Sequence, residues 1–339
     1  MQKHAKILCT LGPASSTKII IRKMIQEGMD VIRLNFSHGN HQEHKKRIDV
    51  IRSLNRKRRR PIKILQDLEG FRIRVGHLEN PILLKKGEQI TITKESLCKK
   101  GDIPFDYEGD LKKIRRGLCL FMDDGQMMVK VIRSNAERLT GEVVFGGLLK
   151  ERKGINIPGF NLQSNVMTLK DQRDMVFGIA QKVDFIAQSF VRNKKDIERV
   201  VRLVKPKLPK CKFIAKIENQ DGITHLDEIM EACDGIMIAR GDLGISVPIY
   251  KIAMIQKDII RRCNKKKKFV ITATQMLENM VEHNRPTRAE VTDVANAILD
   301  GTDYVMLSAE TASGRFPVQS VRMMRQIVDF TEGSQKAKR

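Results

Sequence analysis

Two runs concentrate the chemistry of this chain: Phe213-Ile-Ala-Lys216-Ile-Glu218-Asn219 and, further on, Gly235-Ile-Met-Ile-Ala-Arg240-Gly241-Asp242-Leu-Gly244. Side chains alternate faces along an extended strand, so Lys216 and Glu218 point the same way while Phe213, Ala215 and Ile217 pack on the other face against covering helices. A cation and an anion then share one pocket. The second run ends an apolar strand (Ile236, Met237, Ile238) in a turn that delivers Asp242, with flanking glycines that let a ligand approach the backbone closely. Carboxylates on adjacent strand ends suit a hard divalent ion. Magnesium takes oxygen ligands and keeps positions open for substrate oxygens, which fits Glu218 and Asp242 better than any soft metal. Phosphoryl transfer is the reaction class that most needs a lysine beside that ion. Taken alone, the Lys-Ile-Glu tripeptide reads more readily as a pair that satisfies itself inside a barrel, so the rest of the chain has to decide.

The elements that position these residues alternate along the sequence. Strand patterns run from Lys6 to Leu11, Val31 to Phe36, Lys63 to Leu68, Phe185 to Phe190, Phe213 to Ile217, Gly235 to Ala239, Phe269 to Thr274 and Tyr304 to Leu307. Amphipathic helical patterns fall between most of them, as at Lys18 to Glu27, Lys195 to Val204, Ile252 to Cys263 and Thr287 to Asp300. Such a series predicts an α/β chain folded as a (β/α)8 TIM-type barrel, in which reactive groups gather at the carboxyl ends of the strands. From about Gly76 to Asn161 the rhythm changes to short strands (Gln89 to Thr93, Met127 to Ile132, Gly141 to Phe145) and turns such as Asp123-Asp124-Gly125. This predicts an inserted small β-barrel domain after the third barrel strand, placed to act as a lid. The expected organisation is a catalytic barrel over 1–75 and 162–332, a lid over 76–161 and a frayed tail over 333–339.

The 339 residues carry a formal net charge of +23, a balance that also marks nucleic-acid binders. Its densest runs, Arg56 to Arg60, Lys265 to Lys268 and the last residues to Arg339, fall at helix ends, a loop and a terminus, where solvated basic caps are favoured by the helix dipole. Aromatic content of 5% and the absence of tryptophan argue against base-stacking platforms, so no specific nucleic acid is expected as a partner. Cys9, Cys98, Cys119, Cys211, Cys233 and Cys263 have neither metal-ligand nor disulfide-framework spacing. The N-terminal residues run straight into a strand pattern, so the expectation is a cytoplasmic protein with no membrane partner.

Further runs complete the set: Thr10-Leu-Gly-Pro-Ala-Ser15, Ile32-Arg33-Leu-Asn35-Phe-Ser37-His38-Gly39, Asp67-Leu-Glu-Gly-Phe-Arg72-Ile-Arg74, Thr272-Ala-Thr274-Gln-Met-Leu-Glu278, Arg285-Pro-Thr-Arg-Ala-Glu290 and Met306-Leu-Ser308-Ala-Glu310-Thr-Ala312. In this order, from about Lys6 to Met324, they closely resemble the pyruvate kinase family. The resemblance implies transfer of a phosphoryl group from phosphoenolpyruvate to ADP with Mg2+. Arg33 would grip the phosphoryl group, Lys216 would neutralise it in flight, and Glu218 and Asp242 would hold magnesium. Backbone amides around Gly241 and Asp242 would receive the substrate carboxylate, Thr274 would bind it and order the network that protonates the enolate, and Asn35, His38, Arg74 and Lys153 would contact the nucleotide.

The chain departs from the family pattern at the monovalent-cation site. Asn35, Ser37 and Asp67 match it, but Leu68 replaces a threonine and Arg72 a glutamate, so the site is read as vestigial, K+ as not required, and Arg72 as a fixed charge that Asp67 could pair with. Ser246 replaces the usual glutamate after Gly-Asp-Leu-Gly-Ile. On this reading the chain is barrel and lid without the family's C-terminal domain, and a homo-oligomer is compatible with it. The competing reading is a non-catalytic descendant that binds phosphorylated ligands or nucleic acid.

Overall fold

In a computed structural model, which describes residues 4–160 and 167–337, the strands Lys6–Thr10, Met29–Asn35, Lys63–Asp67, Phe185–Gln188, Lys212–Ile217, Gly235–Ala239, Phe269–Ala273 and Tyr304–Leu307 close into a barrel. Every pairing in it is parallel, and the last strand closes on the first with Lys6 opposite Tyr304 and Cys9 opposite Leu307. The (β/α)8 expectation is therefore met. One parity of side chains, Leu8, Val31, Leu65, Ala187, Ile214, Met237, Ile271 and Met306, packs as the interior cluster. The other parity, including Ile7, Ile32, Ile64, Ile186, Phe213, Ile236, Val270 and Val305, is buried on the outer face. Phe185, Phe269 and Tyr304, each the first residue of its strand, meet edge to face with centroids 5.7–6.4 Å apart and fill the amino end of the barrel. Polar side chains of the inward parity are thereby left to the carboxyl end.

The surrounding helices start where side chains satisfy their first amides. Thr17 caps Lys18–Gln26, Asn40 caps His41–Asn55, Asn193 caps Lys194–Val204, and Thr168 with Asp171 and Thr287 with Glu290 form reciprocal capping boxes. Several strands end short of their expected limits. Phe190 and Thr274 have φ of +55° and +69°, a left-handed conformation that takes the backbone out of the ladder. The final helix runs Pro317–Ala337, past Gly333, with Ser334 Oγ donating to the Phe330 carbonyl 2.9 Å away. The expected frayed tail from 333 is thus helical as far as it is described, and 338–339 lie outside the described residues.

The chain divides into two compact units, Met1–Gly70 with Val166–Arg240 and Tyr250–Arg339, and Phe71–Asn165 with Gly241–Ile249. In the second, a six-stranded sheet and a two-stranded sheet surround one apolar core. The insert is thus β-rich as expected, in two sheets where a small β-barrel was expected. Its hairpin between Cys119–Met122 and Met127–Ser134 turns through Asp123, Asp124 and Gly125, all at positive φ. This unit begins before the expected boundary at 76 because Ile73 and Val75 belong to its core and Arg74 and Val75 bridge to Gly154 and Phe105. The expected end of the insert, at Asn161, lies outside the described residues. No described helix is long and apolar enough to cross a membrane.

Candidate active site

Two residues beyond the interior layer, the inward parity turns polar at Thr10, Arg33, Asp67, Ser189 and Lys216. Arg33 Nε donates to Asp67 Oδ2 at 2.6 Å and its Nη1 to Thr10 Oγ1 at 3.1 Å. Lys216 Nζ lies 3.2 Å from Asp67 Oδ1 and 3.0 Å from Glu218 Oε1, and donates to Ser189 Oγ at 2.7 Å. Glu218 Oε2 accepts the Phe190 amide at 2.6 Å, a bond that the left-handed turn at Phe190 makes available. The array is thus Arg33–Asp67–Lys216–Glu218, two cations against two carboxylates. Burial works to raise the Asp67 carboxyl, but the charges of Lys216 and Arg33 outweigh it and leave it below the usual carboxylate range. Removing one partner of such a buried set leaves an uncompensated charge, at a cost of about 3–5 kcal/mol.

Thr10 and Ser189 were not among the sequence-based site residues. Their signal was legible: each stands two places beyond an inward apolar residue, Leu8 and Ala187. Ser189 also donates to the Leu68 carbonyl at 2.6 Å, which seats it between the third-strand end and the lysine.

Around the same rim, Thr274 Oγ1 donates to the Ala273 carbonyl at 2.6 Å, and Arg240 clasps this turn through several carbonyls. Glu310 accepts the amides of Leu277 at 3.0 Å and Ser308 at 2.6 Å, while burial holds its carboxyl above the usual range. Gly12 is required at its position, because a Cβ there would come within 2.4 Å of the Ala312 carbonyl oxygen. That close approach ties the Thr10-to-Ser15 run to the Ser308-to-Ala312 run.

The expected nucleotide contacts fall in both units. In the first, Asn35 Oδ1 accepts the Ser37 amide at 3.2 Å, and the His38 carbonyl is 3.0 Å from His44 Nε2. Burial lowers His44 to about 4, so its imidazole is neutral at physiological pH. In the second, Arg74 bridges Gly154 and donates to the Arg152 carbonyl at 3.2 Å, which sets it beside Lys153. Lys153 Nζ is 2.8 Å from Asp123 Oδ1. Gly241 and Asp242 lie on the short helix Arg240–Ser246 and belong to this unit. Asp242 Oδ1 is 3.3 Å from Arg72 Nη2, which also meets Asp124 Oδ1 at 2.7 Å. Within the first unit Asp67 is engaged by Arg33 on the adjacent strand and by Lys216 two strands away, and within the second Arg72 ion-pairs with Asp124 and Asp242.

Among the described residues no group of three or more His, Cys, Asp or Glu could hold a metal by itself. Glu218 in the first unit and Asp242 in the second each carry the carboxylate donor type that Mg2+ takes.

The fold and this rim define a (β/α)8 barrel with a buried Arg, Lys and carboxylate array at the carboxyl ends of its strands. The chain belongs to the pyruvate kinase family: the family model for the pyruvate kinase barrel domain matches residues 2–321. It is 42% identical over 343 residues to a pyruvate kinase of Staphylococcus aureus strain MRSA252, covering 99% of this chain and 58% of that protein. With a pyruvate kinase of Geobacillus stearothermophilus it shares 44% identity over 337 residues, 98% of this chain and 57% of that protein. The chain thus spans a little over half the length of these curated relatives.

Proposed function

We propose that the chain carries out magnesium-dependent phosphoryl transfer from phosphoenolpyruvate to ADP, giving pyruvate and ATP, as a pyruvate kinase of cytoplasmic glycolysis. The observation that carries this reading is the buried Arg33–Asp67–Lys216–Glu218 array at the carboxyl end of a pyruvate kinase family barrel. A descendant that only binds phosphorylated ligands or nucleic acid would have no use for so many desolvated charges in one place. Neither a membrane nor a specific nucleic acid is a partner on this reading, and a homo-oligomer is compatible with it.

In the reaction the bond between phosphorus and the enol oxygen breaks, a terminal oxygen of ADP forms the new bond to phosphorus, and the enolate takes up a proton at carbon. Arg33 suits the phosphoryl group because a guanidinium fork matches two of its oxygens. Lys216 presents an ammonium with three donors, and exchanging one chain partner for a phosphoryl oxygen brings its charge to the group in flight. The amides of Gly241 and Asp242, with Thr274, orient the substrate carboxylate, and Asn35, His38, Arg74 and Lys153 receive the nucleotide. Glu218 and Asp242 would hold magnesium, which would supply positive charge to the reacting group. Asn35, Ser37 and Asp67 are the remnant of a monovalent-cation site that this chain does not need.

A coupled assay of pyruvate formation tests the reading. Turnover that requires phosphoenolpyruvate, ADP and magnesium together is the expected result. No turnover at saturating concentrations of all three would remove it.

A further inference from the structure

Thr274 and Gln275 stand side by side at φ of +69° and +52°, a conformation that non-glycine residues, and β-branched threonine above all, adopt only when their surroundings force it. The forcing group is Arg240. Its Nε donates to the carbonyls of Ala273 at 3.3 Å and Thr274 at 3.1 Å, and its Nη2 to those of Thr274 at 2.6 Å and Gln275 at 3.2 Å. Successive carbonyls alternate direction in a continuing strand. Here three in a row converge on one cation.

The guanidinium is itself fixed from behind. Its Nη1 reaches both oxygens of Asp293, at 2.8 and 2.6 Å, and Gln256 Oε1 at 3.2 Å. Asp293 comes from the helix Arg288–Asp300 and Gln256 from the helix Ile252–Lys265, so Arg240 ties the ends of two neighbouring strands to two helices. The Arg240 side chain is 9% exposed, and a planar fork with five N–H donors fills this set of acceptors as an ammonium cannot.

We infer that Arg240 is a positioning residue for the reaction: it holds the left-handed turn that aims the Thr274 hydroxyl, and acts on substrate only through that turn. The functional part rests on the phosphoryl-transfer reading above. The Thr274 hydroxyl bonds the same Ala273 carbonyl that Arg240 holds, so loss of the fork frees the hydroxyl's acceptor and the turn together.

The test compares Arg240→Lys, Thr274→Ala, the double variant and Asp293→Asn by steady-state kinetics and by amide hydrogen exchange over residues 270–278. A misaimed group costs up to about 100-fold in rate, so Arg240→Lys is expected to lower kcat by about 10- to 100-fold while KM for ADP stays within about twofold. Acting through Thr274, it should add less than about threefold to the loss already caused by Thr274→Ala, because residues working as one unit are non-additive. Exchange at Thr274 to Leu277 should quicken by at least about tenfold while that of the strand Gly235–Ala239 does not change. Losses that multiply in the double variant, or an unchanged turn, would overturn the inference. If the wild-type chain shows no turnover, the functional reading fails and the exchange measurement alone decides whether Arg240 holds the turn. If Arg240→Lys does not fold, Asp293→Asn, which keeps the fork and loosens its anchor, must show the same changes on a smaller scale; no change there overturns the inference as well.

Discussion

Lys216 and Glu218, alternate residues at the end of one strand, form an ion pair of 3.0 Å in which the lysine side chain is 9% exposed and the glutamate 1%. The pair is short enough to satisfy itself, yet the ammonium also touches Asp67 and Ser189. A lysine shared among several acceptors is held in place without being committed to one of them. That is the property a group needs if it is to follow charge as a phosphoryl group moves.

Lys216→Met is accordingly expected to lower kcat by about 100-fold or more while phosphoenolpyruvate binding stays measurable, since an interaction used mainly in the transition state shows in the rate constant. Titration calorimetry with phosphoenolpyruvate, beside turnover of the same preparation, checks both halves. Near-normal turnover would take Lys216 out of the mechanism.

Asp67 balances Arg33 and Lys216, and its carboxyl sits below the ordinary range once their charges have outweighed its burial. Its folded value is lower than its unfolded one, so it contributes stability above about pH 4 and that contribution is lost as pH falls through the folded value. Asp67→Asn should therefore destabilise the chain by about 3–5 kcal/mol near neutral pH and flatten the acid limb below about pH 4. Urea melts from neutral pH down to pH 2 read both effects. An unchanged acid limb would show that Asp67 is not the titrating group.

His44 gives a second, separable pH dependence. Burial lowers it to about 4, its Nε2 faces the His38 carbonyl, and its Nδ1 is buried with no hydrogen-bond partner among the described residues, the pattern of a neutral imidazole. Between its unfolded value near 6.5 and about 4 the unfolded chain binds the extra proton, so stability falls as pH falls across that window. The whole window is worth about 3 kcal/mol. His44→Gln keeps a donor for the carbonyl but cannot titrate, so its stability should vary less from pH 6.5 to pH 4, measured by urea midpoint.

Much of the array was readable before any coordinates, because strand parity alone sets Lys216 and Glu218 on one face and Arg33 and Asp67 among the inward positions. Thr10 and Ser189 obey the same rule and could have been included. The Arg240 cluster was not readable in that way. Asp293 lies 53 residues from Arg240 on a helix whose pattern gives no sign of a buried partner. The left-handed turn at Thr274 opposes local propensity, since a β-branched residue in an apolar run predicts continued strand. The start of the second unit was missed for a related reason: Ile73 and Val75 keep strand-like alternation whichever core they enter, and only the tertiary fold decides between them.

Potassium should be dispensable for turnover. Leu68 is fully buried and offers no side-chain oxygen where the family has a hydroxyl, and Arg72 brings a permanent guanidinium where the family has a carboxylate. Asp67, a matched ligand of the old site, is occupied by Arg33 and Lys216. The guanidinium lies against Gly154, where a Cβ would come within 2.2 Å of Arg72 Nε, so the absence of a side chain at residue 154 is what makes room for it. A fixed charge of this kind can supply what a bound monovalent ion would otherwise supply. Turnover in buffer containing magnesium and a bulky organic cation, free of sodium and potassium, should match turnover with potassium added. Activation of more than about tenfold, roughly 1.4 kcal/mol of barrier, would mean the ion is still used. Arg72→Glu should lower activity in potassium-free buffer and regain part of it when potassium is added, with Leu68 limiting the recovery because the missing hydroxyl is not restored.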